Sequence, residues 1–149
     1  MSLYRAVSEA LISDPAPRIL PPLTSLNRAF WTGGAQNQLL ILRCAACQRW
    51  VHPPSSSCPD CEGALGPEPV SGRGVIFTFT VNDQGFNPSV PTPYVIAIVE
   101  LAEQHDLRIP TNIVGCEPEQ LQCGMPVRVL FEQHGEVFVP LFEPDEESR

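Results

Sequence analysis

Cys44-Ala45-Ala46-Cys47 and Cys58-Pro59-Asp60-Cys61, which stand ten residues apart, are the two segments that decide how this chain folds. Two C-x-x-C turns, here called knuckles, can place four sulfurs tetrahedrally around one ion, with metal–sulfur distances of about 2.3 Å. Such a site has no open coordination position, so its ion stabilises the fold and does not activate water. The spacing therefore predicts a structural zinc site. Its predicted ligands are Cys44, Cys47, Cys58 and Cys61.

Other uses of paired cysteines fit this sequence less well than zinc. The first eighteen residues, MSLYRAVSEALISDPAPR, lack the basic start and the apolar stretch of a secretion signal, which favours the cytoplasm and reduced thiols. A thioredoxin-like redox motif uses a single pair, whereas the pair is duplicated here. Iron in a four-thiolate site requires the same spacing, so a rubredoxin-like electron carrier stays open as an alternative.

The composition narrows the range of functions. The chain has 149 residues, enough for one compact domain or for two small units that share a core. All nine basic residues are arginine, and 17 acidic residues bring the formal net charge to −8. The absence of lysine excludes Schiff-base and P-loop lysine chemistry. The acidic balance disfavours nucleic-acid binding, and no apolar run approaches the roughly 18 residues of a membrane span.

The hydrophobic pattern changes from helical to strand-like near residue 38. Residues 3–13 and about 22–31 carry apolar side chains at helical spacing and end at proline or glycine pairs. About five β-rich runs separated by turn residues then fill the last ~75 residues, which suits a small closed barrel. The predicted strands are residues 39–42, 74–81, 94–101, 107–110, 112–115, 126–132 and 136–142.

No set of residues in the sequence forms a recognisable catalytic constellation. Cys116 and Cys123 lie outside the knuckles, and nothing in the sequence brings a histidine base to either of them. We therefore predict no catalytic residues. Phe30 and Trp31 lie at the end of the second predicted helix, where they either pack on the domain or anchor a partner protein.

The order of these motifs resembles one family over most of the chain, from about residue 20 to residue 144. After the knuckles, Ser71-Gly72-Arg73-Gly74 opens one β-run, and Gly124-Met125-Pro126-Val127 precedes the terminal hairpin. This combination is similar to an acyl-CoA-associated family, a domain of unknown function, in which an OB-fold follows a rubredoxin-like zinc ribbon. The resemblance implies a mainly β fold with N-terminal helices, the ribbon and a five-stranded OB-fold barrel. The implied boundaries are 1–37 for the helical segment, 38–68 for the ribbon, 69–144 for the OB-fold and 145–149 for an acidic tail.

The resemblance also implies a function. Members of this family are accessory subunits of thiolase-superfamily enzymes, such as thiolases, acyltransferases and the aldolases that cleave steroid side-chain acyl-CoAs, and some are joined to acyl-CoA hydratases. The chain is then expected to be non-catalytic, to carry structural Zn²⁺ and to share acyl-CoA with its partner. Arg73 either faces that ligand or partner, or forms a solvated turn. The alternative is a single-stranded nucleic-acid-binding module, since zinc ribbons and OB-folds both serve that purpose.

Overall fold

The computed structural model describes residues 11–12, 18–88 and 90–146, which form two small β-sheets. One sheet belongs to the ribbon that carries both knuckles, and the other closes into a barrel. In chain order the strands are β1 (Leu11–Ile12), β2 (Leu39–Cys44), β3 (Trp50–Val51), β4 (Leu65–Val70), β5 (Arg73–Asn82), β6 (Tyr94–Leu101), β7 (Arg108–Ile113), β8 (Pro126–His134) and β9 (Val137–Pro144). The helical elements are α1 (Arg28–Thr32) and two 3₁₀ turns at Gly33–Gln36 and Pro118–Gln120.

Five strands, β5 to β9, form a closed barrel in the neighbour order β8, β5, β6, β7, β9 and back to β8. Strands β5, β6 and β7 form an antiparallel meander, and β8 and β9 form a hairpin. The hairpin closes the barrel on both sides, because β9 pairs in parallel with β7 and β8 pairs with Arg73–Val75 of β5. The structure thus confirms the predicted mainly β fold with a five-stranded OB-type barrel.

A β-bulge in β5 sorts its aromatic side chains onto two faces. The pairing register shifts between Ile76 and Thr78, so Phe77 has no partner in β6. Strict alternation would place Phe77 and Phe79 on the same face of the strand. The extra residue instead leaves Phe77 47% exposed and turns Phe79 against the barrel core.

The ribbon sheet has β2 in the middle and the strands β3 and β4 on its edges. The sequence pattern does not predict β4, because Gly66, Pro67 and Pro69 all lower its β propensity. Proline is tolerated there because an edge strand needs hydrogen-bonding partners on one side only. Pro67 lies opposite Leu42 and Pro69 lies opposite Leu40 in the β2–β4 ladder.

One hydrophobic core joins the ribbon to the barrel. Leu39 and Ile41 of β2 are fully buried in the same cluster as the barrel residues Phe131 and Phe142. Trp50 of β3 belongs to that cluster too. Since burying each such side chain stabilises the fold by about 1.5–3 kcal/mol, the ribbon and barrel support each other through shared packing.

Of the predicted N-terminal helices, the described residues contain one short helix. Within the second predicted helix only Arg28–Thr32 is helical. It follows a turn in which Thr24 and Asn27 exchange hydrogen bonds of 2.8 and 3.2 Å between side chain and backbone. Of the first predicted helix, Leu11–Ile12 instead form a strand parallel to β8, and the other residues lie outside the described ranges. In the described part of the chain, no helix has the length and apolar character to cross a membrane.

Candidate metal centre and adjoining cleft

The two knuckles have the same backbone geometry. The Gln48 N–H donates to the Cys44 carbonyl at 3.0 Å, and the Glu62 N–H donates to the Cys58 carbonyl at 2.9 Å. Gln48 and Glu62 both adopt positive φ angles, of 67° and 62°, which turn the chain back on itself. The duplicated spacing in the sequence therefore folds into a duplicated turn.

The four knuckle thiols converge on one centre. Their Sγ atoms all lie within 4.8 Å of one another, with 3.4 Å between Cys44 and Cys61 and 3.7 Å between Cys47 and Cys58. A tetrahedral ion with metal–sulfur bonds of about 2.3 Å requires sulfur–sulfur distances of ~3.8 Å. A disulfide requires ~2.05 Å. The four thiols therefore fit a shared metal ion, and they do not fit paired disulfides.

Backbone amides and the crowding of the thiols determine which sulfur carries charge. The Cys47 N–H points at the Cys44 sulfur from 3.4 Å and lowers the pKa of that thiol to about 6. At Cys61 the Gly63 N–H lowers the pKa, but the neighbouring thiols of Cys44 and Cys47 outweigh it and raise the pKa to about 12. Thiolates this close repel one another, so a cation at the centre would let all four ionise together.

Gly63 leaves the space that the sulfurs occupy. A Cβ atom at this position would lie 2.7 Å from the Cys44 sulfur, 3.2 Å from the Cys61 sulfur and 3.0 Å from the Ala46 Cβ. All three distances are shorter than an ordinary van der Waals contact of about 3.5 Å. The knuckle therefore requires glycine because of the close approach of the two ligand sulfurs.

The turn between β6 and β7 holds the ribbon against the barrel. The Gln104 side chain accepts a hydrogen bond from the Trp50 N–H at 2.9 Å and donates one to the Trp50 carbonyl at 3.0 Å, as a paired strand would. Arg49 bridges Asp60 of the second knuckle at 3.1 Å and Asp106 of the turn at 3.4 Å. The sequence pattern does not identify this turn, because its role depends on a contact between residues about fifty positions apart.

An apolar cleft of about 500 Å³ lies where the ribbon, α1 and the barrel meet. On one wall, the Phe30 ring stacks at 4.7 Å on the His52 ring and meets Trp31 edge-on at 4.8 Å. Burial lowers the pKa of His52 to about 4, so this ring adds no charge at neutral pH. The barrel side of the cleft is lined by Ile96, Ile109, Pro110, Val139, Pro140 and Leu141.

The structure brings Phe30 and Trp31 together at this cleft, whereas Arg73 is not among its lining residues. Phe30 is 7% exposed and belongs to the shared core, while Trp31 is half-buried. The Arg73 guanidinium lies 3.7 Å from the carboxylate of Asp145. Asp145 opens the predicted acidic tail and is 1% exposed, so the chain is anchored on the barrel at this residue.

A second, polar cleft of about 800 Å³ contains the two remaining cysteines, Cys116 and Cys123. Burial and the Glu117 carboxylate raise the pKa of the Cys116 thiol, which keeps it protonated at neutral pH. Among the described residues, no histidine lines this cleft. Its walls instead include Arg128 and Glu143, which form an ion pair of 3.1 Å. The Cys116 thiol is therefore not activated as a nucleophile.

Two models of known protein families match adjoining parts of the chain. The ChsH2 rubredoxin-like zinc ribbon domain matches residues 31–68, and the ChsH2 C-terminal OB-fold domain matches residues 67–132. The first range contains all four knuckle cysteines. The second contains β5, β6 and β7 and most of β8.

Curated relatives are of two kinds. The chain is 38% identical over 138 residues to the probable enoyl-CoA hydratase alpha subunit of Thermomonospora curvata. It is 31% identical over 134 residues to the 3-oxo-4,17-pregnadiene-20-carboxyl-CoA hydratase alpha subunit of Mycobacterium tuberculosis. Both matches take in 89% of this chain but 42% of the relative, so the chain spans about two fifths of their length. A DUF35 domain-containing scaffold protein of Methanocaldococcus jannaschii is 35% identical over 100 residues, which cover 64% of this chain and 68% of the relative.

A solved structure resembles the chain over nearly its whole described extent. It is a chain of the Ltp2-ChsH2(DUF35) aldolase, with a TM-score of 0.74 and 36% sequence identity. The match covers 84% of this chain and 98% of that chain. The likeness therefore includes both the ribbon and the barrel.

Proposed function

We propose that this chain, which belongs to the DUF35 family that joins a rubredoxin-like zinc ribbon to an OB-fold, is a non-catalytic subunit of an acyl-CoA enzyme. It binds a thiolase-like aldolase, lyase or acyltransferase in the cytoplasm and helps to form or stabilise that partner's acyl-CoA site. The names of its relatives support this proposal, since one is a scaffold protein and two are hydratase alpha subunits. The pregnadiene-carboxyl-CoA hydratase supports a steroid side-chain acyl-CoA as the substrate and an acyl-CoA hydratase as a further partner.

The observation that carries the proposal is the likeness to a chain of the Ltp2-ChsH2(DUF35) aldolase over 98% of that chain's length. Chemistry within the described residues agrees with it. A metal ion held by four thiols has no open position for a substrate. The Cys116 thiol is kept protonated and has no histidine in its cleft. The reacting groups are therefore expected on the partner.

For the metal centre we propose structural zinc, bound by Cys44, Cys47, Cys58 and Cys61. The sulfur–sulfur distances of 3.4 and 3.7 Å support a tetrahedral ion of this size. The purified chain should contain one zinc per molecule by elemental analysis and should be colourless. A red, iron-containing protein that can be reduced and reoxidised would instead support the rubredoxin-like electron carrier.

The contacts of Arg108, on the outer surface of the barrel, argue against the single-stranded nucleic-acid alternative. Arg108 of β7 forms an ion pair of 3.3 Å with Glu100 and stacks on Phe77, with 3.7 Å from guanidinium to ring centre. Its charge is thus already balanced, on a chain of net charge −8. Oligonucleotide binding that weakens steeply with added salt would revive this alternative.

Co-purification tests the proposed function. The chain carries an affinity tag and is co-expressed with a thiolase-like protein from the same organism. The two proteins should elute together in size-exclusion chromatography with a constant ratio across the peak. The tag fused to an unrelated zinc ribbon serves as the control. If the co-expressed thiolase-like protein elutes separately from this chain, the proposal is wrong.

A further inference from the structure

The outward side of strand β6 is apolar where a solvated sheet face would be polar. An antiparallel strand with one face in water alternates between apolar and polar residues. In β6 the buried positions Val95, Ala97 and Val99 alternate with Ile96 and Ile98, which point outward. Ile96 is 43% exposed. A strand that is apolar on both sides is typical of a sheet that is covered on both sides.

The neighbouring strands continue this apolar surface. The bulge in β5 leaves Phe77 47% exposed and Val75 36% exposed, while the exposed Thr78 and Thr80 lie opposite Ile98 and Ile96 and add hydroxyl groups to the surface. On the other side of β6, Pro110 of β7 lies opposite Ile98 and is exposed. We call this surface the β5–β7 face. Its members are Val75, Phe77, Ile96, Ile98 and Pro110.

Charge distinguishes this face from the rest of the chain. We consider the described outward residues of β5, β6 and β7 from Val75 onward. The charged ones are Glu100 and Arg108, and they form an ion pair with 3.3 Å between the Arg108 Nε atom and the Glu100 carboxylate. The face is therefore close to neutral although the chain carries a net charge of −8. Charged groups are depleted at the centres of protein interfaces, because burying them costs hydration energy.

The same charge indicates what covers the face. Two copies of a chain with net charge −8 repel each other, which disfavours a dimer formed by two copies of this face. The cleft beside Trp31 continues the surface, since Ile96 and Pro110 line both. A pocket of about 500 Å³ next to an apolar face suits a protein partner that inserts a large side chain.

We infer that the β5–β7 face, with the adjoining cleft, is the surface on which the thiolase-like enzyme docks. This inference rests on the proposed function and adds the surface to it. The partner's complementary surface is apolar at its centre and neutral or basic at its rim. Phe77 and Ile96 are the expected anchors, because exposed aromatic and large aliphatic side chains account for most of the binding energy of such interfaces.

Two substitutions on the face and one matched control test the inference. Ile96→Glu and Phe77→Ser alter outward side chains and leave the buried positions of β5 and β6 unchanged. Gln133→Glu adds the same charge at an exposed position of β8, a strand that does not neighbour β6. Circular dichroism and zinc content establish that all three variants are folded. Affinity for the co-expressed thiolase-like enzyme is then measured by isothermal titration calorimetry.

We expect Ile96→Glu and Phe77→Ser each to weaken binding at least tenfold, and Gln133→Glu to change it less than twofold. Binding of both face variants within twofold of wild type would overturn the inference and leave the proposed function standing. An equal loss in Gln133→Glu would also overturn it, since the effect would then come from charge alone. No binding by the wild-type chain would overturn the proposed function and the inference together. An isolated chain that dimerises, and that Ile96→Glu makes monomeric, would identify a second copy as the occupant.

Discussion

Replacing Gly63 by alanine should weaken zinc binding without removing any ligand. The new Cβ would lie 2.7 Å from the Cys44 sulfur, and an ordinary contact needs about 3.5 Å. One of the two atoms must therefore move by about 0.8 Å. Zinc–sulfur distances are expected within about 0.2 Å of 2.3 Å, so a shift of this size at the Cys44 sulfur would disturb the site. By comparison with other substitutions next to metal ligands, we expect the zinc affinity of Gly63→Ala to fall about 10- to 100-fold.

Gly66→Ala is the matched control, because it makes the same substitution in the same ribbon. No atom lies within 4 Å of a Cβ built on Gly66. Zinc affinity is measured by competition with a chromogenic chelator at fixed pH, for wild type and both variants. Gly66→Ala should keep the wild-type affinity. If Gly63→Ala also stays within threefold of wild type, the crowding at the Cys44 sulfur does not constrain the metal site.

Two further predictions concern the contacts around the ribbon. Gln104→Ala leaves the N–H and carbonyl of Trp50 without their side-chain partners and should lower the free energy of unfolding by about 2–4 kcal/mol, measured by denaturant titration. Gln133→Ala, whose side chain bonds only locally, should change it by less than ~0.5 kcal/mol, and equal effects would contradict the prediction. Because the folded pKa of His52 is about 4 and the unfolded value is 6.5, protons bind the unfolded chain more readily, so stability falls as the pH falls from 6.5 to 4. His52→Phe should make the decrease in the free energy of unfolding over this pH range about 3 kcal/mol smaller than in wild type. If variant and wild type show the same pH dependence, His52 is not buried as a neutral imidazole.

The features that depend on local spacing were predictable from the sequence. Each knuckle is closed by hydrogen bonds within six residues, so the two C-x-x-C spacings alone indicate the converging thiols. The barrel strands carry enough β-branched and aromatic residues to be identified, with bounds close to those observed. Residues 107–110 and 112–115 were predicted as separate strands but form one strand, Arg108–Ile113, because the chain stays extended through Pro110 and Thr111.

The missed features depend on contacts between distant residues. The β5 bulge arises from pairing with β6, so alternation within Gly74–Val81 could not show that Phe77 is exposed. Gln104 pairs with Trp50 across 54 positions of sequence. For Phe30 the sequence allows packing on the domain or contact with a partner, and the structure shows packing, because β2 and the barrel surround it. A signal for the proposed docking face was present in Tyr94–Leu101, where the apolar run is nearly continuous and the expected polar alternation is missing.

Acyl-CoA turnover distinguishes a non-catalytic subunit from an enzyme. It is measured for three samples at equal concentration: the zinc-loaded chain, the thiolase-like enzyme alone, and their purified complex. We predict no turnover by the chain, little by the enzyme alone and full activity in the complex. Turnover by the isolated chain would show that it is catalytic, and equal activity of the enzyme with and without it would show that the enzyme does not depend on this chain.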